Sequence, residues 1–221
     1  MDLTRKALKI TELLEEQHKS PRHHNKRNAL NELLFIILSL RTDERIYLPL
    51  YKDFKNNYPK WSDVYQASQE EIANTIYKGG LAKQKARWIK EILYEIKKYG
   101  EFSFNYINSF DDSSMEEYLT SLPGVGIKTA RCVMMFSFNR LVLPVDTHTY
   151  RISRRVGLIG NLTSENKIHH ILHDIVPAKI RYRYHVNCVA HGRSICKAIK
   201  PNCENCVINE LCGYYSQTSI P

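Results

Sequence analysis

The stretch "LPGVGIKTA", residues 122–130, sets Gly124 and Gly126 two positions apart in a turn followed at once by Lys128. Ahead of it, Ser114-x-x-Glu117 has the form of a capping box and predicts a short helix running into Pro123. Beyond it, Ala130, Val133, Met134 and Phe138 continue at helical spacing, so the segment reads as helix, tight hairpin, helix. Glycine tolerates positive φ and carries no Cβ. Paired glycines therefore let successive backbone N–H groups point outward, and the following helix start adds a partly positive end. Such a turn either grips a phosphate or merely connects two helices; Lys128, Thr129 and the basic character of the chain favour the phosphate.

Outward from the hairpin the same periodicity continues. Residues 29–39 predict an apolar helix, and Ser68-x-x-Glu71 is a capping box opening a helix that Gly79-Gly80 ends. Ala86, Ile89, Leu93 and Ile96 line one face of the next helix, which Gly100 stops. Leu3, Leu8, Ile10, Leu13 and Leu14, set among charges, mark an N-terminal surface helix, and polar residues 17–28 read as its connection to the first core helix. Pro144 precedes another helical run, "VDTHTYRISRRVGL", and two more helices are predicted over 164–175 and 178–194, the latter after Pro177. No strand-period segment of useful length and no internal repeat occur, so the predicted fold class is all-α.

The 221 residues, 43% hydrophobic and 25% charged, suffice for one substantial core or two small ones. A formal charge of +9 favours an anionic partner, either nucleic acid or an acidic membrane surface. The longest apolar stretch, "LLFIILSL", is too short to span a bilayer, and the N-terminus lacks a signal peptide's apolar run. The expectation is a soluble cytoplasmic monomer without a membrane partner, nucleoid-associated if the cell is prokaryotic.

Six cysteines in a chain expected to stay in a reducing compartment point to a metal or cluster role for any that crowd together. Cys196, Cys203, Cys206 and Cys212 have the spacing C-x6-C-x2-C-x5-C, close enough to wrap one soft metal centre. A structural zinc is the alternative, although zinc sites more often use two C-x2-C pairs and only one is present. Cys132 and Cys188 lie in apolar helical surroundings and read as core thiols.

Lys128 has two readings. It is either a solvated charge near a helix start or a nucleophilic amine whose ammonium form is disfavoured by the helix N-terminus and nearby cations, able to form a Schiff base at an electrophilic carbon. A nucleophile of this kind needs a partner that moves protons. Asp146, past one helix and a proline-marked bend, is either that carboxylate or simply the N-cap of the following helix.

The three motifs in this order, "LPGVGIKTA", "VDTHTYR" and the four cysteines, resemble the endonuclease III family of DNA glycosylases over about residues 29–214. The resemblance implies two helical lobes with DNA bound across the cleft between them. One lobe, residues 29–140, would carry the helix-hairpin-helix; the other, residues 1–28 and 141–221, would be closed by a C-terminal loop holding a [4Fe–4S] cluster on the four cysteines. It also implies that Lys128 attacks the sugar C1′ of a damaged nucleotide, that Asp146 is the catalytic aspartate, and that Gly124, Val125 and Gly126 anchor phosphates. Breaking an N-glycosidic bond builds positive charge on the sugar, which a carboxylate stabilises.

The partner implied is double-stranded DNA with a damaged base or an abasic site. An enzyme acting on a stacked base must extrude it and fill the gap. Leu81 in "GGLAKQKA" matches a family wedge residue, and Arg41 in "LSLRTDER" falls where well-known members carry a gap-filling glutamine. This is a departure from the family pattern and leaves the opposite-base preference open; the other readings are a helix-start core residue for Leu81 and a surface or phosphate-binding charge for Arg41. His148 matches the family near Asp146 and reads equally as structural, while Arg193, Lys197 and Lys200 are candidate DNA contacts around the cluster loop. The implied activity is a bifunctional glycosylase and abasic-site lyase for oxidised pyrimidines. The alternatives are another lesion, such as a mismatched or oxidised purine or uracil, and a non-catalytic DNA-binding protein with a cluster or a zinc.

Overall fold

The computed structural model describes residues 1–19, 21, 23–160 and 165–218, and among them only helices and turns occur. The contacts divide the chain into a middle unit, Asn25–Arg140, and a terminal unit that joins Met1–His24 to Leu141–Pro221. Cys132 and Cys188 are buried, one in each unit. Among the described residues no helix is long and apolar enough to cross a membrane.

The middle unit is built around α2 (Ala29–Ser39), whose Leu30, Leu33, Leu34, Ile37 and Leu38 are buried. Helix α2 packs against α3 (Glu44–Asn57), α6 (Ala82–Lys97) and α8 (Ile127–Phe138). Two short helices, α4 (Trp61–Gln66) and α5 (Gln69–Thr75), lie on α6, and α7 (Asp112–Ser121) lies on α8. The capping box at Ser68 forms as predicted, with Ser68 Oγ accepting from Glu71 N at 3.2 Å and the Glu71 carboxylate from Ser68 N at 2.7 Å. The cap predicted at Ser114 is corrected: Asp111 caps α7, its carboxylate accepting from Ser114 N at 2.7 Å. An ionised acceptor one turn earlier suits the positive helix end better than the hydroxyl does. Helix α3 was not foreseen. Pro49 lies inside it and removes one N–H donor, and buried Leu50 and Phe54 hold the helix to the core despite that loss.

In the terminal unit, α1 (Leu3–His18) buries Ala7, Ile10 and Leu14 against α10 (Glu165–Ile175) and α11 (Arg181–Ser194). Helix α9 (Thr147–Arg155) packs on α11, and the short α12 (Gly213–Thr218) packs on α9. One cluster of buried apolar residues, including Leu143, Ile152, Val156, Leu172, Tyr184 and Cys188, ties these helices together. Helix α1 runs to His18, so the predicted connection begins later than residue 17; its residues 20 and 22, and the predicted helix start at 164, lie outside the described residues.

Candidate active site and cluster site

The hairpin sits in the middle unit between α7 and α8. Its turn closes when Val125 N donates to Leu122 O at 3.2 Å. Gly124 is in the left-handed region, φ +76°, and a Cβ there would fall 2.5 Å from Trp88 Cδ2, so the close approach this glycine permits is to the indole. Gly126 is different: exposed and extended at φ −96°, it caps α8 without a side-chain hydrogen bond, and a Cβ on it would meet nothing within 4 Å. The Val125 side chain is buried, so its backbone is what it can offer a ligand. The first-turn N–H groups of α8 therefore border open space at a partly positive helix end.

Lys128 is half-buried in that first turn. On α2, which packs against α8, Glu32 is fully buried and lies within the electrostatic reach of Lys128. Burial pushes the Glu32 carboxyl above the usual carboxylate range; hydrogen bonds from the Asn25 side chain and the Lys26 backbone pull the other way, as do the Lys128 and Lys26 charges. Sequence reasoning missed Glu32, though a carboxylate within "ALNELLFIILS" was a visible signal. A second buried charge, Arg131 on α8 itself, is paired outright with Glu116 of α7.

Arg41 and Leu81 also belong to the middle unit, and both have φ +52°, a left-handed backbone that residues other than glycine seldom adopt. Each such residue carries about 1–3 kcal/mol of strain that its surroundings must hold in place. Both side chains are exposed. Close to both in sequence lie the contacts of Lys85 on α6, which sequence reasoning also missed: its fully buried Nζ donates to Leu38 O, Thr42 Oγ1 and Gly79 O, each at 2.9 Å. Thr42 Oγ1 in turn donates to Gly79 O. Burial pushes the Lys85 amine down to about 8, still above neutral pH, and the three oxygens together with the negative C-terminal end of α2 favour its charged form. The available signal was a lysine on the core stripe Lys85, Ile89, Ile92, Ile96.

In the terminal unit the buried segment Val142–Val145 leads into Asp146, which caps α9 by accepting from Thr149 N at 2.7 Å. That cap fixes the carboxylate's orientation. His148, two residues on, lies against Gly192 of α11 so closely that a Cβ there would fall 2.5 Å from Nδ1. Burial lowers the His148 pKa and the Asp146 charge opposes that, while Arg151 and Arg193 add to the lowering. Arg151 Nη2 lies 3.1 Å from His148 Nδ1 and donates to Gly192 O at 2.9 Å, so Asp146, His148 and Arg193 share one neighbourhood.

Cys196, Cys203, Cys206 and Cys212 line one small pocket together with Ile152, Val156 and Ile208, and none is in a disulfide. Arg155 Nη1 reaches Cys196 Sγ at 3.2 Å and Lys197 O at 2.8 Å, and His191 Nε2 lies 3.3 Å from Cys206 Sγ. Burial and the neighbouring sulfurs push the Cys206 thiol up to about 11 and raise that of Cys203. Four thiols so crowded fit a positively charged centre that would take them as thiolates. The C-x6-C-x2-C-x5-C set contains one short C-x2-C pair where zinc sites more often use two, so the four thiols suit a polynuclear cluster better than one zinc. Lys197 and Lys200 are exposed on the loop between the first two cysteines, with Lys200 at φ +52°, and Arg193 is exposed near the end of α11.

Comparison with known proteins agrees with this geometry. The family description "HhH-GPD superfamily base excision DNA repair protein" matches residues 35–178, and "Iron-sulfur binding domain of endonuclease III" matches residues 196–212. Endonuclease III of Thermotoga maritima is 33% identical over 208 residues, 93% of each chain. A solved endonuclease III–DNA covalent intermediate with an estranged adenine superposes with a TM-score of 0.84 at 26% identity, covering 99% of both chains. A thermostable thymine-DNA glycosylase superposes with a TM-score of 0.79 at 25% identity, covering 96% of this chain and 98% of that one. The hairpin, the cap at Asp146 and the four-thiol loop thus have a common explanation, for the chain belongs to the endonuclease III family, iron–sulfur DNA glycosylases and abasic-site lyases of base excision repair.

Proposed function

We propose that Lys128 is the nucleophile and Asp146 the electrostatic partner of a glycosylase and lyase that acts, as a monomer, on double-stranded DNA carrying an oxidised pyrimidine or an abasic site. The observation that carries this reading is Lys128 in the first turn of α8, beside a glycine cap that opens onto unoccupied space. A phosphate seated on the Gly124–Gly126 backbone brings the sugar of the damaged nucleotide to the lysine. As the glycosidic bond breaks, its electron pair leaves with the base, which takes up a proton, and the Asp146 carboxylate stabilises the positive charge left on the sugar. The Lys128 amine bonds to C1′ and gives up a proton; the C1′–O4′ bond then breaks, O4′ keeping the electron pair and taking up a proton, so that the sugar ring opens and a protonated imine forms. The imine acidifies the C2′ hydrogen; its removal expels the 3′ phosphate by β-elimination. Arg41 and Leu81 fill the gap left by the extruded base. Arg193, Lys197 and Lys200 add phosphate contacts, and His148 supports the Asp146 neighbourhood. Cys196, Cys203, Cys206 and Cys212 would hold the iron–sulfur cluster, which would order the loop that carries Lys197 and Lys200.

A mismatched thymine is the second substrate reading. It is supported by the likeness to a thymine-DNA glycosylase and by Arg41, whose guanidinium can hydrogen-bond an orphan base more strongly than an amide.

Borohydride reduction on duplex DNA with one abasic site tests the nucleophile. The native chain should form a covalent adduct and Lys128→Gln none, while Asp146→Asn should slow base release and nicking together, by about 100-fold or more. A native adduct that persists in Lys128→Gln moves the nucleophile elsewhere. A panel of duplexes carrying an oxidised pyrimidine or a G·T mismatch then decides the substrate.

A further inference from the structure

We propose that Lys85 is a positioning residue for base extrusion: its buried ammonium fastens the two left-handed positions, Arg41 and Leu81, in the geometry from which their side chains enter the duplex. This rests on the reading of Arg41 and Leu81 as gap-filling residues. Arg41 and Leu81 lie on separate segments, one following α2 and one preceding α6. Lys85 Nζ contacts both: Thr42 Oγ1 is on the residue after Arg41, and Gly79 O is two residues before Leu81. The third acceptor, Leu38 O, is a carbonyl at the C-terminal end of α2, a group that the helix itself leaves without a donor. All three ammonium hydrogens are thus used, and no carboxylate is among the acceptors. A lysine buried only to complete a core would be a costly choice where methionine or leucine would serve. A charge that satisfies oxygens on both segments instead fixes them to each other and to α6. Thr42 reinforces the arrangement by donating to Gly79 O.

The test compares two rates for each variant: base release from a lesion in duplex DNA, and nicking of an abasic site in single-stranded DNA, where no gap opens in a stack. The ratio of the two is insensitive to the amount of folded enzyme. Arg41→Ala/Leu81→Ala should lower the ratio. Lys85→Met should lower it by about 100-fold, the scale of a misplacement of about 1 Å. In the Arg41→Ala/Leu81→Ala background Lys85→Met should lower it no further. Thr42→Val, which keeps nearly the same volume and leaves Lys85 in place, should lower it in the same direction but less, and it covers the case in which Lys85→Met fails to fold. A native ratio in Lys85→Met, or in Thr42→Val if the former does not fold, alongside a lowered ratio in Arg41→Ala/Leu81→Ala, overturns the proposal and leaves the gap-filling reading intact. A native ratio in Arg41→Ala/Leu81→Ala overturns that reading and the proposal with it.

Discussion

Gly124 and Gly126 stand two residues apart and answer to different demands. The first is held at positive φ with the Trp88 indole where its side chain would be; the second is extended and faces open space. Gly124→Ala combines backbone strain with overpacking and should cost about 2–4 kcal/mol of stability. Gly126→Ala should change stability by no more than about 1 kcal/mol, yet its methyl group intrudes where a phosphate would seat and should weaken DNA binding. Thermal melting and DNA titration of the two variants should therefore rank them in opposite orders. The paired glycines were readable from the sequence because their conformational role is local. Trp88, distant in sequence, was not, and the phosphate reading assigned to both glycines a freedom that the structure traces, at Gly124, to packing. Lys128 and Asp146 were likewise visible as residue types at turning points. Buried Glu32 and Lys85 were not singled out, since a charge on an apolar face reveals its partners only when the neighbouring elements are in place.

At the scale of elements, Lys85 couples the C-terminal end of α2 to the start of α6, and its lowered pKa leaves a thermodynamic signature. Between about 8 and its ordinary 10.5 the unfolded chain binds a proton that the folded chain has released, so this lysine makes stability rise with pH across that window. Denaturant unfolding at several pH values should show the native chain gaining stability relative to Lys85→Met as pH climbs from 8 to 10.5. A constant difference would mean that the amine keeps its ordinary affinity for protons. Helices with strong local signals, such as α2 with its continuous apolar run and α5 with its reciprocal cap, were legible beforehand. Helix α3 was hidden by Pro49, because a local rule reads proline as a stop whereas Leu50 and Phe54 supply burial that outweighs the lost bond. At α7 two candidate caps competed, and the carboxylate of Asp111 took the position over Ser114.

Across the whole molecule the excess of basic over acidic residues sets the terms of DNA binding. Each phosphate neutralised releases counterions, so the logarithm of affinity falls with the logarithm of salt by about 0.9 per contact. If Lys197 and Lys200 each hold a phosphate, the Lys197→Gln/Lys200→Gln chain should lose about two contacts from that slope and weaken on every DNA sequence alike. An unchanged slope would remove the cluster loop from the interface.

The terminal unit has a further consequence, for it is assembled from the two ends of the chain. During synthesis α1 leaves the ribosome well before α10 and α11, which cover its Ala7, Ile10 and Leu14, because the entire middle unit is translated in between. At typical elongation rates that wait is on the order of ten seconds. For that interval the apolar face of α1 waits without the helices that come to cover it, and the charged residues of its sequence favour keeping the helix in water.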